Sequence, residues 1–364
     1  MWPNLKISWV PRCLGVVKAG DAGGRGISSG ALTRARWWLL ALLALLSAGA
    51  VLAAQSAAQQ VAPKKAGYVV PRMPWGDPDL EGVWPSIDMV RVPLERPRQY
   101  GARVIMTPAE QQVLEQRENE QIERTARQGA GGQIGAPGHW VEWGRSQRQT
   151  SLLVDPPDGR MPALTADGTA RQARMPKGTT EYGILDGPAG FTPVERCISR
   201  GVLGSTLPIT NGSGMDITQG PGYVAIRYEM IHDVRVIPLG ARPRLSRAMP
   251  QYMGDARGRW EGDTLVVETT NLSDKVGVGV NGSGPPPSPV MRLIERFTRV
   301  GPDTVRYEVT VNDPRTFTAP FTLAFPLTRM PDYIMGEYAC HEGNLGLRFA
   351  LSGFRADEAK GMGK

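Results

Sequence analysis

Three histidines, His139, His232 and His341, make up the imidazole supply of this 364-residue chain. Two of them stand beside carboxylates, in Glu229-x-x-His232-Asp233 and in Cys340-His341-Glu342-Gly343-Asn344. Imidazole next to carboxylate is the usual equipment for proton transfer near neutral pH, which makes His232, His341, Glu229 and Glu342 the candidate catalytic residues. The competing reading is that each ring caps a turn, and His139 reads as an exposed loop residue. Two histidines and a carboxylate could also hold a metal. Neither motif has ligand spacing within one element, so neither a metal nor another cofactor is expected. Arg196, Arg200, Arg227 and Arg235 could clamp an anionic ligand as a group, and Asp233 is a further candidate ligand-binding residue. Arginines on strands also form solvated faces, and that alternative stays open.

The aromatic residues Trp84, Trp140, Trp143, Trp260, Tyr223, Tyr228 and Tyr307 could line an apolar cavity, although Trp260 and Tyr307 read as core. Gly277-x-Gly279-x-x-Gly282 matches a dinucleotide fingerprint by letter, but Pro285-Pro286-Pro287 follows where a helix would have to begin. It is a loop. Residues 59–364 contain no Gly-x-Ser-x-Gly elbow and no phosphate-loop lysine motif.

The elements that must carry these residues are strands. Leu265, Val267 and Thr269 alternate with Val266, Glu268 and Thr270 after a Gly262-Asp263 turn. Residues 293–300 and 304–311 repeat the device around Gly301-Pro302-Asp303. Residues 223–239 would span more than about 50 Å as one strand, so a bend is expected near 230–233, with Glu229, His232 and Asp233 at a hairpin turn. Thr107-Pro108-Ala109-Glu110 is a capping box that opens a helix over 108–128. Its apolar stripe of Val113, Leu114 and Ile122 is too thin for the core, which places it on the surface.

Two resemblances follow from these residues. Gly82-x-Trp84 resembles the first-strand motif of lipocalin-type barrels, in which the tryptophan closes one barrel end. The stretches Glu229-Met230-Ile231-His232-Asp233-Val234-Arg235-Val236-Ile237-Pro238-Leu239 and Gly258-Arg259-Trp260-Glu261-Gly262-Asp263-Thr264-Leu265-Val266-Val267 resemble a family of exported bacterial proteins of uncharacterised function. Glu295-Arg296-Phe297-Thr298-Arg299 and Asn312-Asp313-Pro314 fit the same pattern. The resemblance implies export and a β-rich domain, and it carries over no catalytic residue.

Arg34 and Arg36 precede an apolar run over 37–50 and a small-residue cluster ending Ser56-Ala57-Ala58, the order of a secretory signal. An uncleaved anchor over 37–54 is the rival. Residues 1–33 exceed an ordinary basic lead-in, which places the expected translation start downstream of Met1. Removing 1–58 takes six bases and one acid from the totals of 42 and 35, leaving 36 and 34. A net charge near +2 is a poor basis for binding nucleic acid, and none is expected. Cys13 leaves with the leader. Cys197 and Cys340 then read as one disulfide, with two free thiols the alternative.

The sequence therefore predicts a leader over 1–58, a linker over 59–79, one mainly β domain over 80–356 and a tail over 357–364. The domain is expected to be an antiparallel, lipocalin-like barrel with long insertions and one surface helix, or else a β-sandwich. Three functions are compatible with it: binding of a small, mostly apolar ligand; a cofactor-free lyase, isomerase or hydrolase using His232 and His341; or a structural envelope protein. The protein is expected in the periplasm or medium, with no stable membrane span after cleavage. Protein purified from there should begin between Ala54 and Gln60 on N-terminal sequencing; an intact leader in the membrane pellet would favour the anchor.

Overall fold

The computed structural model describes residues 57–128, 141–178 and 187–361. The leader up to residue 56, the glycine-rich loop over 129–138, His139 and Trp140 lie outside the described residues.

The chain is mainly β and forms two antiparallel sheets. The four-stranded sheet contains β1 (Gly82–Val83), β3 (Met215–Gly220), β4 (Tyr223–Tyr228) and β5 (Val234–Pro238), in the order β1-β3-β4-β5. The six-stranded sheet contains β2 (Leu153–Asp155), β6 (Asp255–Glu261), β7 (Thr264–Thr270), β8 (Arg292–Gly301), β9 (Thr304–Asn312) and β10 (Phe321–Thr328). Its order is β2-β10-β9-β8-β7-β6. Two-residue loops join β3 to β4, β6 to β7 and β8 to β9, whereas residues 271–291 connect the paired strands β7 and β8. Pro221-Gly222 closes β3 onto β4 with Gly222 at φ 83°, the conformation that favours glycine at the second turn position. Gly262, at φ 61°, begins the two-residue loop between β6 and β7. The bend expected near 230–233 is a 3-10 turn, Met230–His232, that separates β4 from β5.

The long strands stack rings across the sheet. Phe297, Tyr307 and Phe325 lie opposite one another on β8, β9 and β10, with centroids 4.9 and 5.2 Å apart. Pro326 interrupts β10 without cost to the β9 ladder. The Ala324 and Thr328 N–H groups point away from β9, and Pro326 falls on the same side, where no N–H is required.

The two sheets meet at two corners. Leu239 bridges Gly258 in parallel, joining β5 to β6. A Cβ at Gly258 would lie 2.7 Å from Leu239 Cδ2 and 2.9 Å from Ile237 Cγ2, so a side chain there would have to displace both. At the other corner the Thr328 N–H donates to Pro85 O at 3.4 Å. Nearby, Trp84 is fully buried, donates from Nε1 to Leu80 O, and lies under the guanidinium groups of Arg329 (4.7 Å) and Arg299 (5.5 Å).

Between the sheets runs a single apolar core interrupted by one ion pair. Arg235 on β5 donates to both carboxylate oxygens of Glu295 on β8, at 2.9 and 2.6 Å. The side chains are 2 % and 0 % exposed. Tyr228 and Thr269 accept from Arg235, and Tyr307 donates to Glu295. Burial alone would depress the Arg235 pKa; the Glu295 carboxylate outweighs it and leaves it raised.

The α-helices include α1 (Pro108–Gln128), α2 (Ala166–Gln172), α3 (Gly201–Thr206) and α4 (Gly346–Ala359), and residues 57–61 are also helical. The expected single surface helix is α1, and its capping box forms through Glu110 N to Thr107 Oγ1 and Thr107 N to Glu110 Oε2. The fully buried α3 and the amphipathic α4 were not expected, and α4 runs across the expected domain boundary at 356. The stretch read as a linker is docked. Lys65 N donates to Val300 O, Arg72 and Lys64 pair with Asp263, and Val70 is 3 % exposed. Among the described residues no helix is long and apolar enough to cross a membrane.

Replacing Glu295 with Leu would strand a buried guanidinium and should cost about 3–5 kcal/mol in urea unfolding. Pairing that change with Arg235→Met should recover most of the loss. A double variant as unstable as the single would mean that lost packing, not the stranded charge, causes the effect.

Candidate functional site

The site begins at the disulfide. Cys197 and Cys340 are bonded, with Cα atoms 5.7 Å apart across a sequence separation of 143 residues. Closing so long a loop removes unfolded-state entropy equivalent to about 4–5 kcal/mol in the chain-entropy model. Locally the bond fixes the segment around 337–344 against the turn over 192–197. That turn is itself capped: Thr192 N donates to Glu195 Oε2 and Glu195 N to Thr192 Oγ1.

A cleft of about 790 Å³ opens beside this bond. Its polar lining includes Glu142, Glu195, Asn211, Glu337, Glu342 and Asn344, and the disulfide forms part of its wall. Behind Glu142 stands Glu229, at the end of β4. Glu229 Oε2 accepts from Gly214 N at 3.0 Å and from the Tyr333 hydroxyl. A side chain at Gly214 would displace that carboxylate, since a Cβ there would lie 2.6 Å from Glu229 Oε2.

The two carboxylates differ in environment. Glu142 accepts one backbone hydrogen bond, from Gly212, while its Oε2 is buried without a partner. Burial raises its pKa, and the charge of Glu229 adds to the effect. The Tyr333 hydroxyl is also pushed well up, by burial first and by its hydrogen bond to Glu229 second. It therefore stays a donor throughout the working pH range. Glu142 is therefore biased toward its protonated form, and Glu229 beside it is supplied with two donors.

A second polar group adjoins the cleft. Arg200 is 1 % exposed, and its Nε and Nη2 lack partners. Burial lowers its pKa to about 10, opposed by Tyr338 and Asp233. Asp233 is raised by burial, against the Ser199 hydroxyl, which donates at 2.7 Å, and the Arg200 N–H.

The residues singled out from the sequence are distributed as follows. Glu342 lines the cleft, Glu229 stands behind it, and Cys197 and Cys340 wall it. His232 is exposed at φ 57° and accepts the Tyr338 N–H on Nε2 at 2.8 Å, so it ties the β4–β5 turn to the disulfide segment. His341 is exposed, and neither imidazole lines the cleft. Arg227 pairs with Asp216 across β3 and β4 at 3.3 Å, Arg235 belongs to the core, and Arg196 lines a different cleft. Trp260 is partly buried against the core and Tyr307 fully buried, whereas Tyr223 is 43 % exposed. Among the described residues, no group of three or more His, Cys, Asp or Glu could hold a metal.

Glu142 and Tyr333 were missed. Neither sits in a patterned motif. Glu142 follows the glycine-rich loop, and Tyr333 lies in the irregular run Pro331-Asp332-Tyr333. Only proximity to Glu229 marks them.

Because the folded state raises the Glu142 pKa, the group favours folding at low pH. That contribution is lost as pH rises through its folded value. Glu142→Gln should therefore gain melting temperature over the wild type as pH rises through and above the carboxylate range. Curves that stay parallel from acid to neutral pH would show that Glu142 titrates normally.

No family model, no curated protein and no solved structure matches the chain.

Proposed function

We propose that the protein is exported and carries out cofactor-free acid–base chemistry on a small polar molecule held in the cleft beside Cys197–Cys340. The observation that carries this reading is the pair Glu142 and Glu229. One carboxyl is buried with an unpartnered oxygen and a raised pKa, and the other accepts two hydrogen bonds. Glu142, which lines the cleft, is the general acid; Glu229, set behind it, is the base acting through one intervening water, and Tyr333 is the donor that holds Glu229 in place. Proton transfer of this kind serves a lyase or isomerase, and a hydrolase if water is the nucleophile. His232 positions the Tyr338 backbone rather than reacting. Cleft volume is within the range of small-molecule sites.

Export is supported by the disulfide and by the leader-like order of residues 34–58. Membership of the exported family rests on the motifs over 229–239 and 258–267. For the sheets, a lipocalin-like barrel is supported by the contacts at both corners, Leu239 with Gly258 and Thr328 with Pro85. A second reading, binding of a mostly apolar ligand, is favoured by a recess of about 250 Å³ beside α1, lined by Val92, Pro93, Tyr100, Met106 and Leu114.

A thermal-shift screen of polar metabolites against the wild type and Glu142→Gln tests the proposal, followed by turnover assays on each stabilising compound. Turnover should follow a bell-shaped pH profile and fall at least about a hundredfold in Glu142→Gln and in Glu229→Gln. Undiminished turnover in both variants would overturn the assignment. Stabilisation by apolar compounds alone, lost on filling the recess with Leu114→Trp, would favour the second reading.

A further inference from the structure

A second cleft, of about 490 Å³, has the opposite charge. Arg171, Arg174, Arg196 and Lys275 line it, with Asp274 the single acid among the described residues of its wall. Arg171 is already committed. It donates to Pro286 O at 2.8 Å and to Thr316 Oγ1 at 2.6 Å, and it pairs with Asp167. Among the described residues Arg174 has only a backbone partner, Ala170 O. Arg196 and Lys275 have no ion-pair partner among the described residues.

Among the described residues, three uncommitted cations against one acid leave an excess of two positive charges around a concave space. Like charges gathered this way repel one another unless something anionic enters. The remaining wall is apolar, with Tyr252, Met175 and Pro193 among its residues. Arg196 does not sweep freely. Its own N–H donates to Thr192 O at 3.1 Å, and the next residue is the disulfide cysteine Cys197. Its backbone is therefore fixed before any ligand arrives, which lowers the ordering cost of binding.

We propose that this cleft binds a small organic dianion, its charged end held by Arg174, Arg196 and Lys275 and its flat apolar body against Tyr252. Two charges match the excess on the wall, and guanidinium with ammonium donors suits either a phosphate monoester or a dicarboxylate. The site is separate from the Glu142–Glu229 cleft and stands or falls without it.

Calorimetric titration with phenyl phosphate, phthalate and benzoate separates the possibilities. At least one dianion should bind in the millimolar range or tighter, and benzoate about tenfold more weakly than that dianion. Whichever dianion binds better identifies the charged group as phosphoryl or carboxylate. Added salt should weaken binding. Arg196→Gln and the exposed Lys275→Gln should each reduce affinity for the dianion about tenfold, with ligand-free melting temperatures near the wild type. Absence of binding by both dianions, equal binding of benzoate, or wild-type affinity in both variants would overturn the proposal.

Discussion

The ion pair between Arg235 and Glu295 is the constraint on which the two-sheet arrangement depends. It joins β5 of one sheet to β8 of the other through two hydrogen bonds to a carboxylate that is 0 % exposed. Removing two charges from water costs several kcal/mol each, and mutual attraction returns that only when geometry and secondary hydrogen bonds are good. Here Tyr228, Thr269 and Tyr307 supply those bonds, each from a different strand. An apolar pair of similar volume would pack as well and tolerate sliding between sheets. The charged pair does not tolerate it, because a shift of one residue would turn either charge toward the wrong face. Its contribution is register more than stability.

That register decides where the candidate site lies. Arg235 is two residues from Asp233 and six from Glu229, so fixing β5 against β8 also fixes the 3-10 turn between β4 and β5. The turn presents Glu229 toward Gly214 and Tyr333 on one side and His232 toward Tyr338 on the other. The disulfide then anchors the Tyr338 segment from its far end. Core ion pair, turn and disulfide form a continuous chain of constraints running from the interior to the cleft wall. Pre-organisation of this kind is what a proton-transfer site requires, since a carboxyl group displaced by one ångström no longer reaches its partner.

Much of the framework was legible because it is local. Period-two alternation marks β7, β8 and β9, the length of 223–239 forces a bend, and Thr107 with Glu110 marks the start of α1. Arg235 and Glu295 lie 60 residues apart, and nothing in either neighbourhood indicates the other. On sequence alone Arg235 resembles the other strand arginines, and only burial separates it from Arg227, which stays on a solvated face with Asp216. Glu142 and Tyr333 escaped for the same reason: their chemistry comes from neighbours 87 and 104 residues away, Glu229 in both cases. Helix α4 was missed for another reason. Leu347, Ala350, Leu351 and Phe354 do follow helical spacing, but the preceding Cys340-His341-Glu342-Gly343-Asn344 reads as a turn, and the N-cap position falls on Leu345, whose side chain caps nothing.

Three adjacent residues show how closely the two clefts are tied. Glu195 lines the acidic cleft, Arg196 the basic one, and Cys197 carries the bond that holds both in place. Side chains of neighbouring residues diverge in any irregular turn, so the opposite orientation needs no special explanation. What does need one is that the turn keeps these orientations with little regular structure around it. The Thr192–Glu195 hydrogen bonds close it from within, Asn344 donates to Glu195 O and to the Cys197 sulfur, and the disulfide closes it from outside. Cys197 sits at φ 54°, a conformation that a non-glycine residue holds only when its surroundings impose it. The same few residues therefore set the geometry of two clefts of opposite charge, and a disturbance at Cys197 would reach both through the backbone.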